Sequence, residues 1–281
     1  MHANAGLMEF AVGIVIIIMV TSAAVAAMLV VRRNAPEGSY FRDGDRAAGV
    51  FGVLATGFAV LLGFVVFLAF TSYDAARTGA EEEALVVAQQ VETAQLLPAP
   101  ASGKLTGELV CYARSVAGVQ WDLMDSGRLG DQVNPWGADL FRTLRTVEPQ
   151  TAAEQSAFDT WLSQTSAREA ARSDRIHGAV GVIPTPLWVV LFFTSMVIFV
   201  YMLFFADRAE RAVVQGLLIG SVVSVITALL LLLNVLDNPF HHGIGGLRPV
   251  AMERTLRIID QELKIAGYVD PPPCDARGNS L

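Results

Sequence analysis

The 281-residue chain is 53% hydrophobic and 17% charged, with a mean hydropathy of +0.47, whereas soluble globular domains carry roughly 25% charged residues. Its apolar residues are gathered into a few long runs instead of one distributed core pattern, which excludes a wholly soluble enzyme. A net charge of -7 with no Lys/Arg tract argues against a nucleic-acid partner, and two cysteines, Cys111 and Cys274, allow at most one disulfide and no four-thiolate zinc site.

A hydrocarbon core about 30 Å thick takes roughly 20 helical residues. Four stretches reach that length: Phe10 to Val31, Ala47 to Phe70, Leu187 to Ala206 and Ala212 to Leu236. None contains Asp, Glu, Lys, Arg or His, so each can insert with no charge to neutralise. The first has no Lys or Arg before it and is followed by Arg32-Arg33, so it reads as a retained span with its N-terminus outside, not as a cleaved signal. The loop after span one carries Arg32, Arg33, Arg42 and Arg46, and the short loop after span three carries Arg208 and Arg211. The bias of Lys and Arg towards cytoplasmic loops therefore places both loops inside, and both termini and the Tyr73 to Gly181 segment outside, in the cell (inner) membrane.

Span two is interleaved with Phe51, Phe58, Phe64, Phe67 and Phe70 and with Gly52, Gly57 and Gly63. A ring of such side chains gates a pore by dewetting, which makes Phe58, Phe64, Phe67 and Phe70 pore candidates; the competing reading is lipid-facing Phe with Gly at helix contacts. Beyond span two, Ala80, Ala84, Val87, Val91 and Ala94 continue the helix as an amphipathic one up to Pro98-Ala99-Pro100. Within it, Glu82 and Glu83 are pore-mouth charge candidates in an oligomer; alternatively Glu81-Glu82-Glu83 is a solvated turn after Gly79.

The rest of the 73–181 segment shows no strand alternation. Leu105, Leu109, Tyr112, Val116, Val119 and Leu123 keep one helical seam, ended by a loop with Gly127, Gly130 and Asn134-Pro135. A short helix with Leu140, Leu144 and Val147 follows, and Pro149 suits the first turn of a longer helix through Trp161. With 15 acidic and 9 basic residues, this domain is net negative.

Span four carries small residues every fourth position, Ala212, Gly216, Gly220, Ser224 and Ala228. Such a ridge admits a closely approaching helix, from the same subunit or a neighbour. After the exit turn Asn238-Pro239-Phe240, Met252, Leu256, Ile259, Leu263 and Ala266 mark an amphipathic helix, and a flexible tail is expected from Pro271. The expected organisation is thus all-α: a transmembrane hairpin (1–72), a helical extramembrane domain (73–181), a second hairpin (182–236), and a helix with a tail (237–281). His241-His242 has no third ligand at a telling spacing, and no nucleophile elbow, phosphate loop or dinucleotide fingerprint is present. No catalytic residue, metal site or cofactor is expected.

Several of these runs resemble a bacterial bestrophin-like family of membrane proteins whose domain has no assigned function. They are Arg46-Ala47-Ala48-Gly49-Val50-Phe51, Leu62-Gly63-Phe64-Val65-Val66-Phe67, Tyr73-Asp74-Ala75-Ala76, Glu82-Glu83-Ala84, Pro184 with Leu187-Trp188-Val189-Val190-Leu191, and Leu236-Asp237-Asn238-Pro239-Phe240. The resemblance covers about Asp45 to Leu247; Gln120-Trp121 departs from it, since members carry an acidic residue before the Trp. More distantly, span number and Asn238-Pro239-Phe240 resemble bestrophins, which are pentameric anion channels. That resemblance implies a homo-oligomer in the lipid bilayer that passes inorganic ions. His241-His242-Gly243 stands where bestrophins have an acidic calcium clasp, and the bestrophin orientation, with a cytosolic helical domain, is opposite to the one the Arg distribution gives. Two functions follow: an oligomeric channel with span two lining the pore, or a non-conducting scaffold or sensor whose helical domain binds a partner.

Overall fold

The computed structural model describes residues 2–126, 134–265, 267 and 271–281, with residues 2–7 and 9 described by backbone alone. Every regular element among them is helical: α1 (His2–Arg33), α2 (Gly44–Ala94), α3 (Ala101–Ser115), a π-helical turn (Val116–Gln120), α4 (Trp121–Asp125), α5 (Pro135–Leu144), α6 (Ala152–His177), α7 (Thr185–Phe204), α8 (Ala212–Asp237) and α9 (Val250–Ile265). The protein is an all-α membrane protein with four helices long and apolar enough to cross a bilayer. The chain forms two compact units: Met1–Ser72 with Gly181–Asp237 and His242–Gly245, and Tyr73–Val180 with Asn238–His241 and Gly246–Leu281.

In the first unit, α1 packs along α8 because the α8 ridge is small. Cβ atoms built on Gly216 and Gly220 would stand 3.4–3.6 Å from Thr21, Val25 and Met28. Ser224 Oγ and Thr21 Oγ1 share a hydrogen bond of 2.8 Å on the same line. The ridge partner is therefore a helix of the same chain. The Arg-bearing loops meet: the Arg32 guanidinium donates to the carbonyls of Asp207, Arg208 and Glu210, and Tyr40 N donates to Phe204 O. Asp207 accepts from Gly38 N and Ala209 N, and those backbone bonds hold its carboxyl below the usual range. Asp237, buried at the end of α8, accepts from Ile183 N (2.9 Å) and Trp188 Nε1 (3.4 Å), tying the entry of α7 to the exit of α8.

In the second unit, the continuation of α2 packs with α3, α5, α6 and α9 around Val87, Val91, Leu105, Leu109, Tyr112 and Trp161. The expected seam from Leu105 to Leu123 breaks at the π turn. One extra residue there shifts the helical phase by about 100°, so Val119 and Leu123 lose full burial while Gln120, Trp121 and Met124 gain it. The long helix α6 starts after Pro149, at a capping box in which Thr151 Oγ1 accepts from Glu154 N and Glu154 accepts from Thr151 N. The loop placed at Gly127 and Gly130, and Ala266 of the last helix, lie outside the described residues.

The tail expected to be flexible is instead fastened. Cys274 is disulfide-bonded to Cys111 of α3. Asp275 accepts from Arg277 N, Asn279 N and Asn279 Nδ2, Trp136 Nε1 donates to Gly278 O at 2.7 Å, and Arg277 pairs with Asp122 at 2.6 Å. Gly278 has φ +82°, and a Cβ there would sit 2.3 Å from Ser115 N, so only glycine fits this docking.

Candidate functional site

The membrane part of α2 has two faces. Phe58, Leu62, Val65 and Ala69 recur at spacings of four and three and are buried against α7 and α8 within the first unit. Phe58 is 5% exposed, so it fills the subunit core and is not free to line a pore; this corrects its place among the pore candidates. Phe64, Phe67 and Phe70 are 61%, 60% and 51% exposed. They lie on the opposite side with Val53 and Val60, and Cβ atoms built at Gly49, Gly52, Gly57 and Gly63 meet nothing within 4 Å. The period of 100° per residue forces this split: positions 58 and 67 are 180° apart around the helix. Phe51, half-buried one heptad before Phe58, extends the packed face, with its ring 5.9 Å from Phe205 and 6.2 Å from Tyr201.

The pore-mouth charges divide in the same way. Glu82 is exposed, and Glu81 pairs with Arg77 at 3.1 Å on the surface. Glu83 is fully buried, which removes it as a pore-mouth charge. Its carboxylate accepts from Arg175 Nε (2.5 Å) and Nη2 (3.1 Å), and from Tyr112 Oη (2.6 Å). Arg175 also donates to Gln120 Oε1 (3.3 Å) and to Met124 Sδ (3.2 Å). Burial works against the Arg175 charge, but the charge and hydrogen bonds of Glu83 outweigh it and raise its pKa. Burial, reinforced by Glu83, raises the Tyr112 phenol well above its ordinary value, so it stays a donor.

A second buried arginine extends the network. Arg168 Nη1 donates to Gln90 Oε1 at 2.8 Å, its guanidinium carbon lies 4.8 Å from the Tyr112 ring centroid, and Gln90 Nε2 donates to Thr165 Oγ1. Gln90, Arg168 and Arg175 were not singled out as site residues from the sequence, although a signal was present. Ala157, Trp161, Gln164, Arg168, Ala171 and Arg175 follow one heptad seam of α6, so two arginines stand at core positions and require buried partners. Gln120, one of those partners, is the residue at which the chain departs from the family pattern it resembles.

The exit turn of α8 has a packing role. Phe240 is buried with its ring edge-on to Trp121 at 5.2 Å, Trp121 Nε1 donates to Leu247 O, and Leu247 N donates to Pro239 O at 2.7 Å. Asn238 O accepts from His241 N at 3.3 Å. Among the described residues, no group of three His, Cys, Asp or Glu could hold a metal ion.

A four-span helical membrane protein with a helical domain between spans two and three is the class these elements define. The Bestrophin-like domain family matches residues 18–251, and the chain belongs to that family. None of the curated protein sequences matches it. Among solved structures, a bacterial bestrophin homolog from Klebsiella pneumoniae carrying a point mutation is similar over 91% of this chain and 98% of its own, at 15% identity and a TM-score of 0.63. Another structure of a bacterial bestrophin homolog from Klebsiella pneumoniae is similar over 90% and 100% of the two chains, at 14% identity and a TM-score of 0.62. A structure described only as a membrane protein is similar over 90% of this chain, at 15% identity and a TM-score of 0.62. At these identities the likeness is one of fold.

Proposed function

We propose that the protein is an ion channel assembled from several copies of the chain, with the exposed face of α2 lining the conducting path. The observation that carries this is the division of α2. Its Phe58, Leu62, Val65 and Ala69 face satisfies the subunit's own packing, while a second apolar face with Phe64 and Phe67 is left exposed by the described residues. Copies arranged around an axis would bring that face together, and its aromatic rings would form a dry constriction. Glu82, exposed two to three helical turns beyond Tyr73, would add negative potential at the mouth and favour cations.

The helical domain is assigned to the side outside the cytoplasm. The Arg-rich loops favour it, and the Cys111–Cys274 bridge within the domain supports it, because structural disulfides persist in oxidising compartments and are rare in the cytosol.

The test is subunit number in mild detergent together with ion flux in reconstituted liposomes. A symmetric oligomer whose flux rises on Phe64→Ser or Phe67→Ser, and whose reversal potential moves towards anions on Glu82→Gln, supports the channel. Folded protein that is monomeric or dimeric, with no flux in any variant, refutes it and leaves a scaffold or sensor.

A further inference from the structure

The second unit holds a charged cleft that the channel reading does not use. It has a volume of about 460 Å³ and is lined by Arg77, Leu85, Trp121, Arg248 and Arg254, with Glu81 at its edge. Three arginines from separate segments converge there: Arg77 from α2, Arg248 from the segment before α9, and Arg254 from α9 itself. Glu81 neutralises one of them through its 3.1 Å pair with Arg77. Arg248 and Arg254 make no hydrogen bond or ion pair among the described residues, leaving the cleft a net charge of +2 inside a domain that is otherwise acidic.

The remaining polar groups of the cleft are already used. Trp121 Nε1 donates to Leu247 O and Thr255 Oγ1 donates to Ala84 O, both at 3.2 Å. The free valences are thus guanidinium donors beside an apolar lining that includes Ala84, Leu85 and Leu247. Planar guanidinium forks match phosphate oxygens in pairs. The apolar lining suits the less polar part of an amphiphile. Depth along α2 indicates the source: Arg77 follows Phe70, the end of the apolar stretch of that helix, by seven residues, or about 10 Å of rise, within reach of lipid headgroups.

We propose that this cleft binds the phosphate headgroup of an anionic membrane lipid through Arg248, Arg254 and Arg77. The site is independent of whether the protein conducts, so its test reads binding and not current. The full-length protein in phosphatidylcholine nanodiscs is titrated with dioctanoyl phosphatidylglycerol, and separately with inorganic phosphate, while thermal unfolding is followed. Phosphatidylglycerol should raise the unfolding temperature saturably, and the apparent dissociation constant should weaken by at least about tenfold in R248Q/R254Q. Both arginines are exposed and have no polar partner among the described residues, so this variant keeps its lipid-free unfolding temperature and its disulfide. Leu85→Trp, which fills the cleft and leaves every arginine in place, should weaken the lipid likewise. Identical isotherms in the parent and both variants would overturn the site. Inorganic phosphate that binds as tightly as the lipid and is not displaced by it would overturn the lipid assignment. A changed subunit number in R248Q/R254Q would show instead that the cleft is a contact between copies of the chain.

Discussion

Replacing Arg175 by Met isolates the largest single electrostatic commitment of the helical domain. In the parent, three charge-assisted or short hydrogen bonds converge on the Glu83 carboxylate, two from Arg175 and one from Tyr112, and Glu83 and Arg175 are both fully buried. Arg175→Met fills a similar volume but leaves a buried carboxylate with the Tyr112 hydroxyl as its remaining donor among the described residues. Removing one partner of a buried pair costs about 3–5 kcal/mol, and in a domain of this size that corresponds to a fall in unfolding temperature of roughly 6–20 °C. Adding Glu83→Gln removes the stranded charge and keeps an acceptor for Tyr112, so the double variant should recover much of the loss. The two sites would then show a coupling well above the few tenths of a kcal/mol seen between independent positions. Differential scanning fluorimetry of the detergent-solubilised protein reads all three variants. A fall below about 2 °C for Arg175→Met, outside the range worked from the pair, would refute the reasoning. So would a double variant whose loss is the sum of the single losses.

Three other outcomes are expected. Gly220→Ala should be tolerated, because its Cβ would sit 3.4 Å from Thr21, an ordinary contact, whereas Gly220→Leu should drive α1 from α8 and cut the yield of folded protein; Leu230→Val, off the ridge, is the mild control, and equal yields at both sites would remove the ridge as a contact. In intact cells an impermeant thiol reagent should label Cys introduced at Ser102 and spare one at Ser39, while Cys111 and Cys274 resist alkylation until reduced; Cys111→Ser with Cys274→Ser should cost about 2–5 kcal/mol, and the reversed labelling pattern would restore the bestrophin orientation. Glu108 is buried, accepts from Thr143 Oγ1 at 2.8 Å and has its carboxyl pushed up by that burial, so its charged form opposes folding. Its contribution to stability is full below the ordinary carboxylate pKa and is lost as pH rises through the raised one; Glu108→Gln should therefore gain on the parent in denaturant titrations across that window, and a gap that is flat with pH would contradict this.

Arginine in the cleft of the second unit and arginine in its core illustrate how differently one residue type behaves in a single fold. Arg175 carries burial because each of its nitrogens has an acceptor: Nε and Nη2 meet Glu83, Nη2 also meets Gln120, and Nη1 meets Met124. Arg248 and Arg254 remain exposed, where an unpaired charge is hydrated at little cost. Loss of function without loss of stability is thus expected from the cleft pair, and the reverse from the core pair.

The sequence by itself determined the features that depend on local composition and period. Four uninterrupted apolar runs of bilayer length define the spans, since burying backbone polar groups in hydrocarbon leaves the helix as the form such a run adopts. The every-fourth-residue ridge of Gly216, Gly220 and Ser224 announced a close helix contact, and Arg32 to Arg46 with Arg208 and Arg211 set the sidedness that the thiol-labelling experiment tests. Tertiary structure alone decided which helix fills that ridge, because Thr21, Val25 and Met28 lie about 200 residues away in sequence and nothing local selects them. It also decided which Phe of span two is core and which is free. The phase of α2 is set by where α7 and α8 dock, and that docking takes Phe58 and leaves Phe64 and Phe67. The fates of Glu82 and Glu83, adjacent and chemically identical, were separated by the same 100° step, which turns one to solvent and the other onto Arg175. The tail escaped the sequence reading for a related reason: Pro-rich composition predicts freedom, but one disulfide spanning 163 positions and a glycine docked on Ser115 override it through contacts that no local window contains.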